Sequence, residues 1–220
     1  MVSNAGIYVF DFEVAEGNEE TICVNVINTF LLALLLLPKL RETSIEYDTR
    51  GVMTFTGSFV HHLTTFPERR AGNVFEELRV EERADMKDRY NVSKLISLLF
   101  SRELAFALRE SERRGREGHV VANIVNPGLV DTEIMRHATG ATKHLVRGAM
   151  KLMARSVEEG SRTLVHAAGG EEETNGMYLD DCKIGKLVPP LRVLFIRYGY
   201  CGFWTNEKLE YHHGQHHSMG

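Results

Sequence analysis

A tyrosine and a lysine four positions apart are the residues of this sequence best suited to chemistry. Tyr90 and Lys94 would lie on one face of a helix, because residues four apart are neighbours on a helix surface. A free phenol has a pKa of about 10, and a nearby cation stabilises the phenolate. The pair therefore predicts a proton donor and acceptor suited to carbonyl reduction or alcohol oxidation. The same spacing also occurs on solvated helix surfaces, where it has no chemical role.

Two further hydroxyl groups follow stretches that favour strands. Ser58 ends a β-rich run, and Thr132 follows the rigid Pro127-Gly128 turn after a second such run. Ligands bind at the carboxyl ends of parallel strands, so both hydroxyls are candidates for contact with a substrate or cofactor. The alternative is that each is an ordinary turn residue.

Predicted strands and helices alternate along the chain, and this alternation indicates an α/β fold with a parallel sheet and helices on both faces. Residues 63–87 are predicted as a loop or a short surface helix, and Thr21 as a helix cap. Strands are predicted at Gly51–Phe59 and His119–Val125, and Met1–Gly6 is predicted to contain the end of another strand. Helices are predicted at Glu20–Arg41, Arg89–Arg114 and Ser156–Ala168.

Composition and net charge limit the classes of protein to which this sequence can belong. The 220 residues are 43% hydrophobic and 25% charged, which is typical of one globular domain, and the net charge of -4 argues against nucleic acid as a partner. Three separated cysteines predict neither a disulfide framework nor a zinc site.

The apolar run Phe30–Leu37 is shorter than the roughly 20 residues of a membrane-spanning helix and is expected to be a buried helix face. With no secretory signal evident, the cytoplasm is the expected location.

The motifs, taken in their order along the chain, resemble the short-chain dehydrogenase/reductase family. The resemblance runs from Val2 to about Lys183 and is nearest to fungal members of the branch that includes retinol-dehydrogenase-like enzymes. It is carried by Asn4-Ala5-Gly6, Asn25, Ser58, the Tyr-Asn-Val-Ser-Lys stretch from Tyr90 to Lys94, and Asn126 to Thr132.

The resemblance implies a role for each matching residue. Tyr90 would be the general acid/base, and Lys94 would lower its pKa and hold the nicotinamide ribose of NAD or NADP. Ser58 would orient the substrate carbonyl, and Asn25 would serve in a proton-relay water chain. The remaining cofactor-binding residues would be Asn4, Ala5 and Gly6 beside the adenosine, and Val130 and Thr132 at the nicotinamide amide.

The sequence also departs from the family pattern. Family members begin with a strand, a glycine-rich turn and a helix that receives the cofactor's pyrophosphate, and this sequence shows no such turn. We therefore expect residues 1–186 to form an incomplete, Rossmann-like doubly wound domain that lacks the first βαβ unit. Residues 187–220 are expected to be a divergent C-terminal segment. Apolar surface left exposed would be covered by a second copy, by a full-length relative or by that segment.

The resemblance implies an NAD(P)-dependent oxidoreductase that interconverts an alcohol and a carbonyl on a small lipophilic substrate, in fungal secondary metabolism. Two alternatives stay open. One is a cofactor-independent enzyme in which Tyr90 and Lys94 transfer protons for an isomerisation, dehydration or cyclisation. The other is a non-catalytic binding protein that pairs with a relative.

Overall fold

The computed structural model describes residues 1–131, 134 and 154–186. The chain divides into two compact units, Met1–Gly185 and Lys186–Gly220. All of the fold that follows belongs to the first unit. Thr132 and the predicted C-terminal segment 187–220 lie outside the described residues.

A five-stranded sheet forms the centre of the described unit, and it confirms the predicted α/β class. Its order is β1-β4-β5-β6-β7, with the first four strands parallel and β7 antiparallel to β6. A two-stranded antiparallel hairpin, β2 and β3, lies outside the sheet. The strands are β1 (Val2–Ser3), β2 (Val14–Ala15), β3 (Asn18–Glu19), β4 (Gly51–Thr56), β5 (Val120–Asn126), β6 (Tyr178–Asp180) and β7 (Lys183–Ile184).

Helices cover both faces of the sheet. The alternation of side chains along a strand separates the face of Phe55 and its register partner Ile124 from the face of Val125. Helix α1 packs on the first face, where the Phe30 and Phe55 rings stack with centroids 4.6 Å apart. Helix α4 packs on the second, where Ala167 joins Val125 in a buried cluster. The helices are α1 (Glu20–Glu46), α2 (Val74–Leu78), α3 (Met86–Arg113) and α4 (Val157–Ala168).

Helix α1 begins at a carboxylate rather than at the predicted Thr21. Glu19 is the N-cap, and its two carboxylate oxygens accept hydrogen bonds from the backbone N–H groups of Thr21 and Ile22. A Thr21 cap would require non-helical backbone two residues later, whereas Thr21 is helical and fully buried. The first turn is followed by a π-helical turn, Cys23–Asn28, which contains Asn25.

The apolar run Phe30–Leu37 is not the buried face that we expected. Phe30 and Ala33 are buried against the sheet, but most of the leucines point away from it. These exposed leucines are Leu31, Leu32, Leu34, Leu35 and Leu36. A helix that packs on a sheet buries only one stripe of its surface. All eight residues of the run are apolar, so most of the leucines outside the stripe of Phe30 and Ala33 stay exposed.

The helix that contains this apolar run is also much longer than the run itself. Helix α1 continues through Pro38, and its 27 residues are long and apolar enough to cross a membrane by length and composition alone. The core helix of a globular protein passes the same test. In this fold α1 contributes Phe30 and Ala33 to the core and connects β1 to β4.

Helix α3 carries the predicted Tyr90 and Lys94 and follows a long irregular connection from β4. The connection holds short 3₁₀ turns and α2, which agrees with the predicted loop or short surface helix over residues 63–87. Asp85 caps α3 by accepting a hydrogen bond from the Lys87 N–H. Helix α4 begins with a capping box between Ser156 and Glu159, close to its predicted start.

Candidate active site

Tyr90 and Lys94 lie together on the face of α3 that meets the sheet. The Lys94 Nζ is 5.5 Å from the centroid of the Tyr90 ring, as their spacing predicted. The ammonium donates a hydrogen bond of 2.9 Å to the carbonyl oxygen of Thr56, the last residue of β4. Both side chains therefore lie at the carboxyl end of the parallel sheet, where α/β proteins bind ligands.

Burial determines the electrostatics of the lysine. Only 5% of the surface of Lys94 is exposed, and removal of its ammonium from water lowers its pKa to about 8. Because neutral pH lies below this pKa, most of the Lys94 side chains are still protonated there. The site thus holds a positive charge whose N–H groups can donate hydrogen bonds to a polar ligand.

The tyrosine differs from our expectation in one respect. Burial, and secondarily the neighbouring Tyr8, raise the pKa of the Tyr90 phenol above its ordinary value instead of lowering it. The ring of Tyr8 covers it in a stacked arrangement, and Phe10 stacks on Tyr8 in turn at 4.8 Å. In this structure the desolvation of the phenol outweighs any stabilisation of the phenolate by Lys94.

Asn25 joins three parts of the site through its side chain. Its Oδ1 accepts a hydrogen bond from the Ile7 N–H and its Nδ2 donates to the Ile7 carbonyl, each at 2.9 Å. The Nδ2 also donates to the Ser93 hydroxyl at 3.1 Å, so the loop after β1 is fixed to α3. The Asn25 carbonyl accepts a hydrogen bond from Ser97. The amide therefore positions the loop that carries Tyr8.

Gly6 and Asn4 lie on the same side of the sheet as Lys94. A Cβ atom at Gly6 would lie 3.2 Å from Asn25 Oδ1 and 3.8 Å from Lys94 Nζ, so a side chain here would crowd both groups. The Thr56 hydroxyl donates to Asn4 Oδ1 at 3.0 Å. Asn4 is exposed, and so is Ala5 beside it. The loop thus forms an accessible rim above a buried lysine.

Ser58 follows β4 by two residues and caps the 3₁₀ turn Phe59–His62. Its hydroxyl oxygen accepts a hydrogen bond from the Val60 N–H at 3.4 Å. Because that contact uses a lone pair, the hydroxyl proton remains available for donation to a ligand oxygen. The serine is half-buried, as a group that contacts both the turn and a ligand would be.

Of the residues predicted after β5, the structure describes Val130 but not Thr132. Val130 forms an isolated parallel bridge with Arg155. Its methyl groups pack against α4 at Gly160, where a Cβ atom would lie 2.5 Å from Val130 Cγ2. The packing fixes the start of the segment after β5 on the sheet edge. The predicted contact of Val130 with the nicotinamide amide stays a prediction.

The sequence reasoning missed a buried ion cluster directly before Tyr90. The Arg89 side chain is 1% exposed and contacts Glu68 at 3.2 Å and Glu19 at 3.7 Å. Glu19 caps α1, Glu68 lies in the connection after Ser58, and Arg89 is on α3. One guanidinium thus joins the segments that carry Asn25, Ser58 and Tyr90. An arginine beside a motif tyrosine was the only sequence signal, and it is indistinguishable from a surface charge.

Comparisons with known proteins find relatives that are named short-chain dehydrogenases. No family model matches the chain. The short chain dehydrogenase atnD of Emericella nidulans is 42% identical over 184 residues, which cover 82% of this chain and 57% of that protein. The polyprenol dehydrogenase of Mus musculus is 35% identical over 82% of this chain and 51% of its own length. The chain therefore spans about half of the length of the curated relatives that it matches.

Solved structures give the same fold at low sequence identity. The carbonyl reductase Sniffer of D. melanogaster superposes with a TM-score of 0.53 and 15% identity, over 85% of this chain and 64% of that one. The Pseudomonas aeruginosa RhlG/NADP complex superposes with a TM-score of 0.50 and 20% identity, over 82% of this chain and 63% of that one. These likenesses show the fold alone.

The sequence similarity extends over four-fifths of the chain, and the described sheet carries the Tyr90 and Lys94 pair at its carboxyl edge. By this similarity and by its fold, the chain belongs to the short-chain dehydrogenase/reductase family.

Proposed function

We propose that this protein is an NAD(P)-dependent oxidoreductase that interconverts an alcohol and a carbonyl compound. The observation that carries the proposal is the meeting of Tyr90, Lys94 and Asn25 with Gly6 at the carboxyl ends of β1 and β4. A phenol, a buried ammonium and an open backbone rim are the groups that proton transfer beside a bound cofactor requires.

Each residue of the site has a separate task in this proposal. In reduction, Tyr90 donates the proton of its phenol to the substrate oxygen, and in oxidation its phenolate accepts the proton back. Lys94 stabilises the phenolate, because its ammonium lies next to the same ring. Ser58 donates its free hydroxyl proton to the substrate oxygen and thereby fixes the direction of the carbonyl.

The described residues fit the nicotinamide and ribose end of the cofactor. Lys94 has three N–H donors and uses one on Thr56, which leaves donors for ribose hydroxyls. The absence of a side chain at Gly6 keeps the space beside the ammonium open. The cofactor, when bound, supplies or accepts the hydride. Asn4 and Ala5 are the exposed residues of the rim that would contact the adenosine side.

We assign a small lipophilic molecule as the substrate. Two aromatic side chains, Tyr8 and Phe10, stack outward from Tyr90 and make the surroundings of the phenol apolar. Apolar walls with few polar groups are typical of pockets for such ligands. A role in secondary metabolism and a cytoplasmic location belong to the same proposal, and the free thiols of Cys23 and Cys182 fit a reducing compartment.

A second copy of the chain, or a full-length relative, is the partner that we propose for the exposed face of α1. Helix α3 contacts α1 through the rings of Phe30 and Phe100, whose centroids are 5.3 Å apart, and Phe100 and Phe106 of α3 are themselves partly exposed. A groove of about 320 Å³ runs between the two helices and is lined by Leu34, Leu37 and Leu104 among others. An apolar surface of this kind on a globular protein marks an interaction site.

Calorimetric titration with NADPH and NADH tests the proposed function. We expect micromolar binding of one cofactor, loss of that binding in Lys94→Ala, and no change in the matched control Lys87→Ala, whose side chain is exposed on the same helix. Circular dichroism establishes that each variant is folded. The absence of binding by the folded, unsubstituted chain contradicts hydride transfer and leaves the cofactor-independent enzyme and the binding protein.

A further inference from the structure

A histidine lies beneath Ser58 and contacts its backbone. The Nδ1 atom of His61 is 2.5 Å from the carbonyl oxygen of Ser58. A carbonyl oxygen can only accept a hydrogen bond, so the Nδ1 atom carries the proton and the neutral ring is in its Nδ1–H tautomer. Ser58 is consequently held at two points, through its carbonyl by His61 and through its hydroxyl oxygen by Val60.

His61 is buried among aromatic rings, with the carboxylate of Asp180 in its vicinity. The residue is 3% exposed, and burial lowers its pKa to about 4, so the ring is neutral near physiological pH. The Tyr178 ring of β6 stands edge-on to it at 4.8 Å, and the His62 ring lies 3.8 Å away. Tyr178 is itself buried in the central sheet. The 3₁₀ turn that begins at Ser58 is therefore anchored to a strand that lies two positions away in the sheet.

We infer that His61 is a positioning residue, which fixes Ser58 in the orientation needed to donate its hydroxyl proton to the substrate oxygen. The inference rests on the proposed function, because it assigns Ser58 that role. His61 acts through Ser58 and need not touch the substrate. The other explanation of the same side chain is that it only fills space under the turn.

Two amide substitutions separate positioning from space filling. The side-chain amide of Asn can place an N–H donor close to the position of His Nδ1, whereas the amide of Gln reaches towards the position of Nε2. Both are polar, and both remove the ring that packs on Tyr178. A purely structural role predicts similar losses in His61→Asn and His61→Gln, since each loses the same ring contact.

The kinetic test uses 4-nitrobenzaldehyde as the carbonyl probe with NADPH. We expect kcat of His61→Asn to stay within about threefold of the unsubstituted chain and kcat of His61→Gln to fall about tenfold, the value of one neutral hydrogen bond. In a Ser58→Ala background the difference between Asn and Gln should vanish, because the residue through which His61 acts has lost its hydroxyl. A difference that persists without the Ser58 hydroxyl overturns the inference, as do equal losses in the two variants.

A spectroscopic measurement on the unsubstituted chain keeps the inference testable if the substituted chains do not fold. The ¹⁵N spectrum of the histidine rings reports which nitrogen carries the proton. We expect His61 to remain in the Nδ1–H form between about pH 5 and pH 8. An Nε2–H ring breaks the bond to Ser58 and overturns the inference. Lack of turnover by the unsubstituted chain contradicts the proposed function instead, whereas the ring tautomer tests the contact between His61 and Ser58 independently of turnover.

Discussion

The ring of Tyr8 lies flat on the ring of Tyr90, with centroids 4.5 Å apart and planes inclined by 9°. This contact keeps water from one face of the phenol and contributes to the raised pKa of Tyr90. The loop that carries Tyr8 is held in place by the side chain of Asn25. Tyr90, the residue that we propose transfers the proton, is thus covered by a side chain from a different segment of the chain.

Shortening Tyr8 should lower the pKa of Tyr90. In Tyr8→Leu water gains access to the phenol, and in Tyr8→Phe the ring cover stays while the second phenol is lost. We expect the larger decrease in Tyr8→Leu. The titration is followed by NMR on chain labelled with ¹³C at tyrosine Cζ, with Tyr47→Leu as the exposed control. An unchanged Tyr90 titration in Tyr8→Leu would falsify the account of the raised pKa.

Tyr90→Phe should abolish carbonyl reduction while leaving cofactor binding intact. General acid catalysis contributes roughly 10² to 10⁴ in rate, so we expect kcat to fall at least about 100-fold. The affinity for NADPH should change less than about threefold, since Lys94 retains its contacts. Tyr47→Phe, an exposed substitution of the same kind, serves as the control. Turnover that survives in Tyr90→Phe excludes this residue as the acid.

The stability of the protein should rise with pH relative to Lys94→Met. The pKa of Lys94 is lowered to about 8 in the folded chain, against about 10.4 for an unfolded lysine. Between these values the unfolded chain binds more protons, so the cost of burying the ammonium disappears as pH rises through the window. We expect the difference in unfolding free energy to move in favour of the unsubstituted chain by about 3 kcal/mol between pH 8 and pH 10.5. Urea titrations at both ends of the window measure it, and a constant difference contradicts the lowered pKa.

Glu68→Gln should destabilise the fold far more than Glu77→Gln. Glu68 contacts the buried Arg89, and removing one charge of a buried pair costs about 3 kcal/mol or more. Glu77 pairs with Arg83 on the surface, where solvent screens the two charges and the ion pair contributes little to stability. Urea denaturation of the two variants under identical conditions gives both values. Equal losses would show that the Arg89 cluster behaves as a surface network.

Leu35→Glu should disrupt the self-association proposed for α1. The leucine is 68% exposed, so a charge there leaves the monomer folded but must be desolvated when two apolar faces meet. Sedimentation equilibrium should show dimers for the unsubstituted chain and monomers for Leu35→Glu. Val165→Glu, at an exposed valine of α4, should leave the dimer unchanged. Dimers of equal stability in all three chains exclude the α1 face as the interface.

The order of the elements and the central pair of the site could be predicted from the sequence, because both depend on local patterns. The spacing of Tyr90 and Lys94 determines a shared helix face, and Ser156 with Glu159 forms a capping box within four residues. The Tyr8 stack and the Arg89 cluster could not be predicted in this way. Each joins residues far apart in the sequence, and only the packing of the whole unit brings them together.

The exposed leucines show a second limit of local patterns. A run of apolar residues indicates burial, but it does not say which molecule covers it. The structure buries Phe30 and Ala33 inside the unit and leaves Leu31 and Leu35 outside. The pKa of Tyr90 shows the same limit. The spacing predicted a cation beside the phenol, but it did not predict that burial of the phenol would raise the pKa more than the cation lowers it.

The Arg89 cluster also affects how the segments around the candidate site would unfold locally. If the connection that carries Glu68 detaches, the guanidinium of Arg89 keeps a single distant carboxylate, at 3.7 Å, in a region closed to water. Detachment of either carboxylate therefore raises the free energy of keeping Arg89 buried. The segments that carry Glu19, Glu68 and Arg89 should then open as one cooperative unit. Native-state hydrogen exchange would then report a common opening free energy for the amides near Glu19, Glu68 and Arg89. The residues of the candidate site would then be assembled or dispersed together.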